Sequence, residues 1–324
     1  MQTRKTPVIN CVVVTYNRLE LLKECIDALL RQDYPINRII IIDNCSTDDT
    51  VEWLSTLSDD TRFHVVRTEK NIGGAGGFSL GLKISVESGC DYTWMMDDDT
   101  IPAADALRLL AKTLAPDGTT GWVASKVNWK DGTRHVMNRC AVEKVNGRLS
   151  GPMYADGTAF YLATFCTFVS VLIGSAAVRC VGLPIKEFFI WCDDIEYTSR
   201  IYNAGFTCVF VPESIVTHKS AENYYPTVDK APSVMAPRFY YQARNTSYLK
   251  RRNSKCLLFF YLSMLNKFRL YRHKAGRRKD GCGKAFWEAA KKGCLDGLTF
   301  NPPIEHIGGT GGTPVRKPQK EEDL

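Results

Sequence analysis

The chain has 324 residues, 44% of them hydrophobic, and a formal net charge of +7; that length predicts one large domain plus an appendage. Twelve cysteines include no CxxC pair, which argues against a zinc site or a paired disulfide framework, and several (Cys11, Cys166, Cys208) lie in apolar runs as buried free thiols do. This usage fits a reducing cytosol, residues 1–6 are short and polar with no signal peptide, and no apolar run reaches the roughly 20 residues of a membrane span.

Residues 8–14 form a near-continuous apolar stretch, the pattern of a strand covered on both faces, and end in Thr15-Tyr16-Asn17-Arg18. A helix is predicted over residues 19–32, with Leu22, Cys25, Ile26, Leu29 and Leu30 on one face. Ile39-Ile40-Ile41-Ile42 is a second strand, ending at Asp43-Asn44. Ser46-Thr47-Asp48-Asp49 resembles a capping box for a helix over residues 50–57. Residues 63–66 are a third strand. Lys70-Asn71-Ile72-Gly73-Gly74-Ala75-Gly76-Gly77 leads into a helix over residues 78–87. This stretch is neither a GxxxxGK[ST] loop nor a GxGxxG directly after a strand. It reads as a loop that packs closely near a nucleotide, without ringing its phosphates with amides.

Residues 92–96 are a fourth, buried strand that stops abruptly at Asp97-Asp98-Asp99, after which Pro102 opens a helical pattern to residue 114. Three adjacent carboxylates at one strand tip repel each other unless something positive sits there. A divalent cation is the obvious candidate, because hard cations take oxygen ligands. In an extended segment Asp97 and Asp99 share a side while Asp98 points elsewhere. Taken alone, the triplet also reads as a solvated acidic loop.

The order β-α-β-α-β-α-β predicts a parallel sheet with helices on both faces. Such sheets bind ligands beyond the carboxyl ends of their strands. The clusters at residues 15–18, 43–44 and 97–99 should therefore converge on one crevice. Further on, residues 122–127 read as a strand, residues 128–134 as a turn, and residues 161–173 as an apolar run. Trp191-Cys192-Asp193-Asp194-Ile195-Glu196 opens a helix that Gly205 ends. A carboxylate there is either an N-cap or a general base facing a substrate hydroxyl. Residues 207–211 form a strand ending at Pro212, and His218 after it is a candidate metal ligand.

Read together, Thr-Tyr-Asn-Arg, Asp-Asn-Cys-Ser-Thr-Asp, Asn-Ile-Gly-Gly-Ala-Gly-Gly-Phe, Met-Asp-Asp-Asp, Trp-Cys-Asp-Asp-Ile-Glu and a following His are similar to the inverting glycosyltransferases of family 2. The resemblance covers roughly residues 8–220. The glycine-rich stretch with the full Asp triplet is similar to the galactofuranosyltransferases, with rhamnosyltransferases as near neighbours. The resemblance implies an α/β GT-A fold, a mixed sheet flanked by helices, over residues 1–235. It implies that Thr15, Asn17, Arg18, Asp43, Asn71 and Asp97 meet the nucleotide. It further implies that Asp97, Asp99 and His218 hold Mn²⁺ or Mg²⁺, and that Asp194 is the catalytic base. Gly174, Trp191, Asp193 and Arg244 fall on the acceptor side. The implied partners are a nucleotide-sugar donor, UDP-galactofuranose first and dTDP-rhamnose second, and a cell-surface or lipid-linked glycan acceptor. A non-catalytic nucleotide-sugar or polyanion-binding module is the reading from another class.

Residues 231–300 carry sixteen Lys/Arg against three Asp/Glu, a net of +13 that leaves −6 on the rest. This is a basic C-terminal helical extension, residues 236–300, followed by a flexible tail over 301–324. Residues 256–265 are apolar and flanked by Lys250, Arg251, Arg252, Lys255, Lys267, Arg269, Arg272 and Lys274. The segment reads either as a helix packed on the catalytic domain or as an interfacial helix on an anionic leaflet. The second reading makes the protein cytoplasmic and peripheral on the inner face of the membrane. Nucleic acid is not expected as a partner, although any polyanion sees the same field.

Overall fold

A computed structural model describes residues 6–115 and 117–308. Residues 6–97 form β1 (Ile9–Thr15), α1 (Leu19–Leu30), β2 (Arg38–Asp43), α2 (Thr50–Ser55), β3 (Phe63–Arg67), α3 (Gly73–Glu87) and β4 (Tyr92–Asp97). Then come β5 (Thr100–Pro102), α4 (Ala106–Lys112) and β6 (Thr120–Trp129). The short β7–β10 (Ala141–Val142, Lys144–Val145, Arg148–Leu149, Met153–Ala155) make the irregular insertion. The chain continues with β11 (Thr158–Phe165), β12 (Val171–Gly174), α5 (Ser175–Val181), α6 (Asp193–Asn203) and β13 (Thr207–His218). Three helices follow: α7 (Arg238–Asn253), α8 (Leu257–Gly276) and α9 (Gly283–Asp296).

The main sheet runs β10-β11-β13-β6-β12-β4-β1-β2-β3. Strands β3, β2, β1 and β4 are parallel, as the alternating helices require. Strand β12 enters antiparallel between β4 and β6, so the sheet is mixed. Both faces are covered, and the side-chain alternation divides the core cleanly. Val12, Val14, Ile40 and Ile42 pack toward α3, while Cys11, Val13, Ile39 and Ile41 pack toward α1. The twelve cysteines are thiols rather than disulfide partners.

Several boundaries differ from the sequence expectation, each for a physical reason. The glycine-rich stretch is not a loop but the start of α3. A Cβ at Gly77 would lie 2.6 Å from Val14 Cγ1, and one at Gly81 would lie 2.4 Å from Val12 Cγ1. These glycines let α3 lie directly on β1. Pro102 does not open a helix; it ends β5, which pairs with β13, and α4 begins four residues later. Pro212 does not end a strand either. Strand β13 runs on to His218 through a register shift between Val211 and Ile215, which accommodates the missing N–H. Ser46 does not cap α2; its hydroxyl accepts the Asn17 N–H instead. Residues 301–307 are no tail, for Leu183 N–H donates to Glu305 O and Ile307 sits in the core. The remainder of the expected tail, residues 309–324, lies outside the described residues.

Candidate active site

The carboxyl ends of β1, β2 and β4 meet, as parallel neighbours in register must. Asn44 N–H donates to Thr15 O, and the Thr15 hydroxyl donates to Asp98 Oδ2 at 2.8 Å. Asp98 is thus turned back toward β1, where Arg18 also reaches it at 3.3 Å. Arg18 bonds Asp99 at 2.7 Å. Asn17 holds the neighbouring loop: its Oδ1 accepts the Thr47 N–H at 2.7 Å from a left-handed backbone position with φ 54°.

His218 is delivered by sheet geometry. Strand β13 pairs with β5 so that His218 faces Thr100, and Lys219 N–H donates to Asp99 O at 2.8 Å. His218 Nε2 then lies 2.9 Å from Asp99 Oδ1. Ligand atoms of Asp97, Asp99 and His218 all fall within 4.8 Å of one another. On the other side of the ring, Nδ1 meets Asn138 Oδ1 at 2.8 Å. An Nδ1–H donor to that carbonyl leaves the Nε2 lone pair aimed at Asp99. Two acceptors 2.9 Å apart need a proton or a cation between them. Asp99 Oδ1 is buried without an aligned hydrogen-bond donor, which suits a metal-ion ligand. Two carboxylates and an imidazole are a donor set for Mn²⁺ or Mg²⁺.

The charges are strongly perturbed. Burial, then the Asp99 charge, pushes the Asp97 carboxyl up to about 7. Burial lifts Asp98 to about 6 although Arg18 opposes it. Asp99 is also buried, yet when a proton rather than a cation sits on His218 Nε2, the bond and charge of that imidazolium, with Arg18, hold Asp99 below the usual carboxylate range. His135, stacked on His218 with ring centroids 4.7 Å apart, is pushed down to about 4 by burial and by that neighbour's charge.

A cavity of about 490 Å³ opens beside this cluster. Arg18, Asp97, Asp99 and His218 line it from the sheet side, and Trp191, Asp193 and Asp194 from α6 and the turn before it. Burial and the adjacent Asp194 raise Asp193 well above the carboxylate range. Burial raises Asp194 to about 6, against the pull of the Ile195 N–H, which bonds its Oδ1 at 2.7 Å. The turn is strained: Phe189, Trp191 and Cys192 have φ of 65°, 65° and 70°. Asn245 of α7 holds it, donating to Phe188 O, Ile190 O and Trp191 O.

The comparisons with known proteins bear on this arrangement. Residues 11–171 match Glycosyl transferase family 2. The chain carries a family 2 glycosyltransferase domain. This transferase is 28% identical over 211 residues to galactofuranosyltransferase GlfT1 of Mycolicibacterium smegmatis, covering 63% of this chain and 69% of that one. It is 24% identical over 252 residues to the dTDP-rhamnosyl transferase RfbF of Shigella flexneri, covering 77% and 82%. Among solved structures, it superposes on GalNAc-T7 with UDP, GalNAc and Mn²⁺ at a TM-score of 0.55 and 16% identity, over 76% of this chain and 51% of that one. It also superposes on the mannosyltransferase PcManGT of Pyrobaculum calidifontis with GDP-Man and Mn²⁺, at a TM-score of 0.54 and 15% identity, over 91% and 76%. The fold is GT-A, and the protein is a glycosyltransferase.

Not every expected residue reaches the transferase cavity. Asp43 is buried at the end of β2, with Oδ1 taking the Ser46 N–H and Oδ2 3.6 Å from Arg67, beside a separate hollow of about 370 Å³. Asn71 is turned to α3, where its Oδ1 accepts the Gly73 N–H at 2.8 Å. Gly174 pairs with Tyr92 at the opposite end of β4, in a different hollow of about 740 Å³. Its missing side chain is a packing need, since a Cβ would lie 2.5 Å from Thr120 O. Arg244 is buried under the strained turn, bonded to Glu187 O and Phe188 O and stacked 4.0 Å over the Phe300 ring. It supports the site from behind. Asn245, its neighbour in the same Arg-Asn pair, makes more bonds to the turn. Asn138 was invisible in sequence because it lies in the insertion, where no periodicity assigns a direction.

Proposed function

We propose that the protein transfers a sugar, best read as galactofuranose from UDP-galactofuranose, to a hydroxyl of a cell-surface or lipid-linked glycan, with inversion at the anomeric carbon. The observation that carries this reading is the convergence of the Asp97, Asp99 and His218 cluster with Asp194 on one cavity. The cation held by Asp97, Asp99 and His218 would stabilise charge on the departing diphosphate. Arg18, beside the same carboxylates, faces the cavity with a guanidinium suited to phosphate oxygens. Asp194 takes the proton of the acceptor hydroxyl while that oxygen bonds the anomeric carbon and the sugar–phosphate bond breaks. The diphosphate leaves with the bonding pair. Trp191 and Asp193, on the same wall, orient the acceptor.

The GlfT1 similarity supports galactofuranose, and the longer RfbF alignment supports a second reading with dTDP-rhamnose as donor. The two nucleotide-bearing neighbours, solved with UDP and with GDP-Man and each with Mn²⁺, support a metal-assisted nucleotide-sugar donor. Thermal unfolding with UDP, dTDP, GDP and CDP, each with and without Mn²⁺, tests the proposal. UDP with Mn²⁺ at about 100 times its dissociation constant should stabilise by roughly 2.7 kcal/mol. A preference for dTDP moves the donor to rhamnose. No response to any nucleotide, with or without metal, overturns the site.

A further inference from the structure

Helix α8 is covered on one side only. Phe260, Met264, Lys267 and Ala275 are buried toward α7 and α9. On other sides of the same helix Leu257, Leu258, Phe259, Tyr261, Leu262 and Leu265 are 47% to 70% exposed. Residues 258, 262, 265, 269 and 272 share one helical stripe, which changes from leucine to arginine halfway along. Exposed Lys250, Arg252 and Lys255 precede the apolar half, and exposed Arg277 and Lys279 follow the helix. From residue 230 to residue 279 there are fourteen Lys/Arg and no Asp or Glu. An apolar surface is thus bordered by charge of a single sign.

We propose that the N-terminal half of α8 docks this transferase on an anionic lipid leaflet, its leucines and Phe259 entering the interface and the basic border meeting the headgroups. Single-sign charge is what an anionic surface complements. A second copy of the chain fits less well, because a two-fold contact through this face would bring two cationic borders together. No helix among the described residues is long and apolar enough to cross a membrane, so the contact is interfacial. The inference goes beyond the transfer reaction and does not depend on the sugar.

The test is sedimentation of the full chain with vesicles of phosphatidylcholine alone and of phosphatidylcholine mixed with phosphatidylglycerol. The wild type should bind the mixed vesicles, and less so as salt is raised. The triple variant Leu258→Gln, Phe259→Gln, Leu262→Gln should weaken binding on the order of a hundredfold. Arg269→Gln with Arg272→Gln should weaken it by about fivefold for each charge. Both variants alter exposed positions, so their unfolding midpoints and nucleotide protection should match the wild type. That readout separates a failed membrane contact from a failed transferase site. Absence of binding to mixed vesicles, or binding untouched by both variants, overturns the proposal. So does a concentration-dependent dimer abolished by the triple variant, which would assign the face to a second copy.

Discussion

At the scale of single residues, the chemistry rests on where burial places each carboxylate's proton. Asp194 sits at about 6 because its charged form is desolvated, which the backbone N–H groups of Ile195 and of Asp194 itself oppose. As the proposed general base it must be unprotonated to act, so the carboxylate is competent above that value and lost below it. The rate at low substrate, kcat/KM, should therefore fall about tenfold per pH unit below this point. Asp194→Asn should lower the rate by about 10²–10⁴-fold and remove this acid limb, with nucleotide protection intact. An Asp194→Asn enzyme that keeps both rate and acid limb would move the base elsewhere. Asp193, one residue earlier, is pushed up further, so the pair does not hold two full charges at neutral pH.

At the scale of elements, the decisive feature is the turn that enters α6. Three non-glycine residues hold positive φ there, a conformation that each would leave if free. Asn245 spends one amide group on three carbonyls of this turn, and Arg244 bonds two carbonyls of the same segment. Asn245→Ala should thus cost about 1–3 kcal/mol of stability, the penalty for leaving buried carbonyls unpaired. It should also lower kcat while leaving UDP protection near the wild-type value, because the part of the cavity proposed to take the donor is built on β1, β4 and β13. Asn245→Asp, which accepts but cannot donate, should not rescue kcat. Equal loss of kcat and of nucleotide protection would show a general structural role instead.

At the scale of the whole molecule, the C-terminal helices are fastened to the catalytic domain through a buried charge cluster. Glu196 of α6 is 2% exposed in its side chain and bonds Arg200 at 2.7 Å and Arg252 of α7 at 2.6 Å. Arg200 is nearly as buried and also donates to Val181 O and Leu183 O. Glu196→Ala leaves Arg200 without a counter-charge and should destabilise by about 3–5 kcal/mol in denaturant unfolding. Arg252 is 43% exposed in its side chain, so Arg252→Ala should lose no more than about 1 kcal/mol. Equal losses would mean that the α6–α7 link, not the buried pair, dominates.

The local alphabet of the chain determined the strands, the helices between them and the clusters at residues 15–18, 43–44 and 97–99. Those features follow from apolar periodicity and strand-end polarity, which are properties of neighbours in sequence. That Asp98 points away from Asp97 and Asp99 was expected from alternation along an extended segment, but residues 98–99 form a turn between β4 and β5, and that turn sets the direction. What only the tertiary structure decided depends on contacts between distant segments. Strand β13 continues through Pro212 because β5 and β6 give it partners, and this continuation carries His218 to Asp99. The glycines at residues 77 and 81 mark the distance of α3 from β1, a quantity no local pattern encodes. Gly174 ended an apolar run, but β12 runs antiparallel to β4, so its end lies at the far edge of the sheet. The sequence reading put Arg244 on the acceptor side and made nothing of Asn245; helix register turns both toward the strained turn and neither into the cavity.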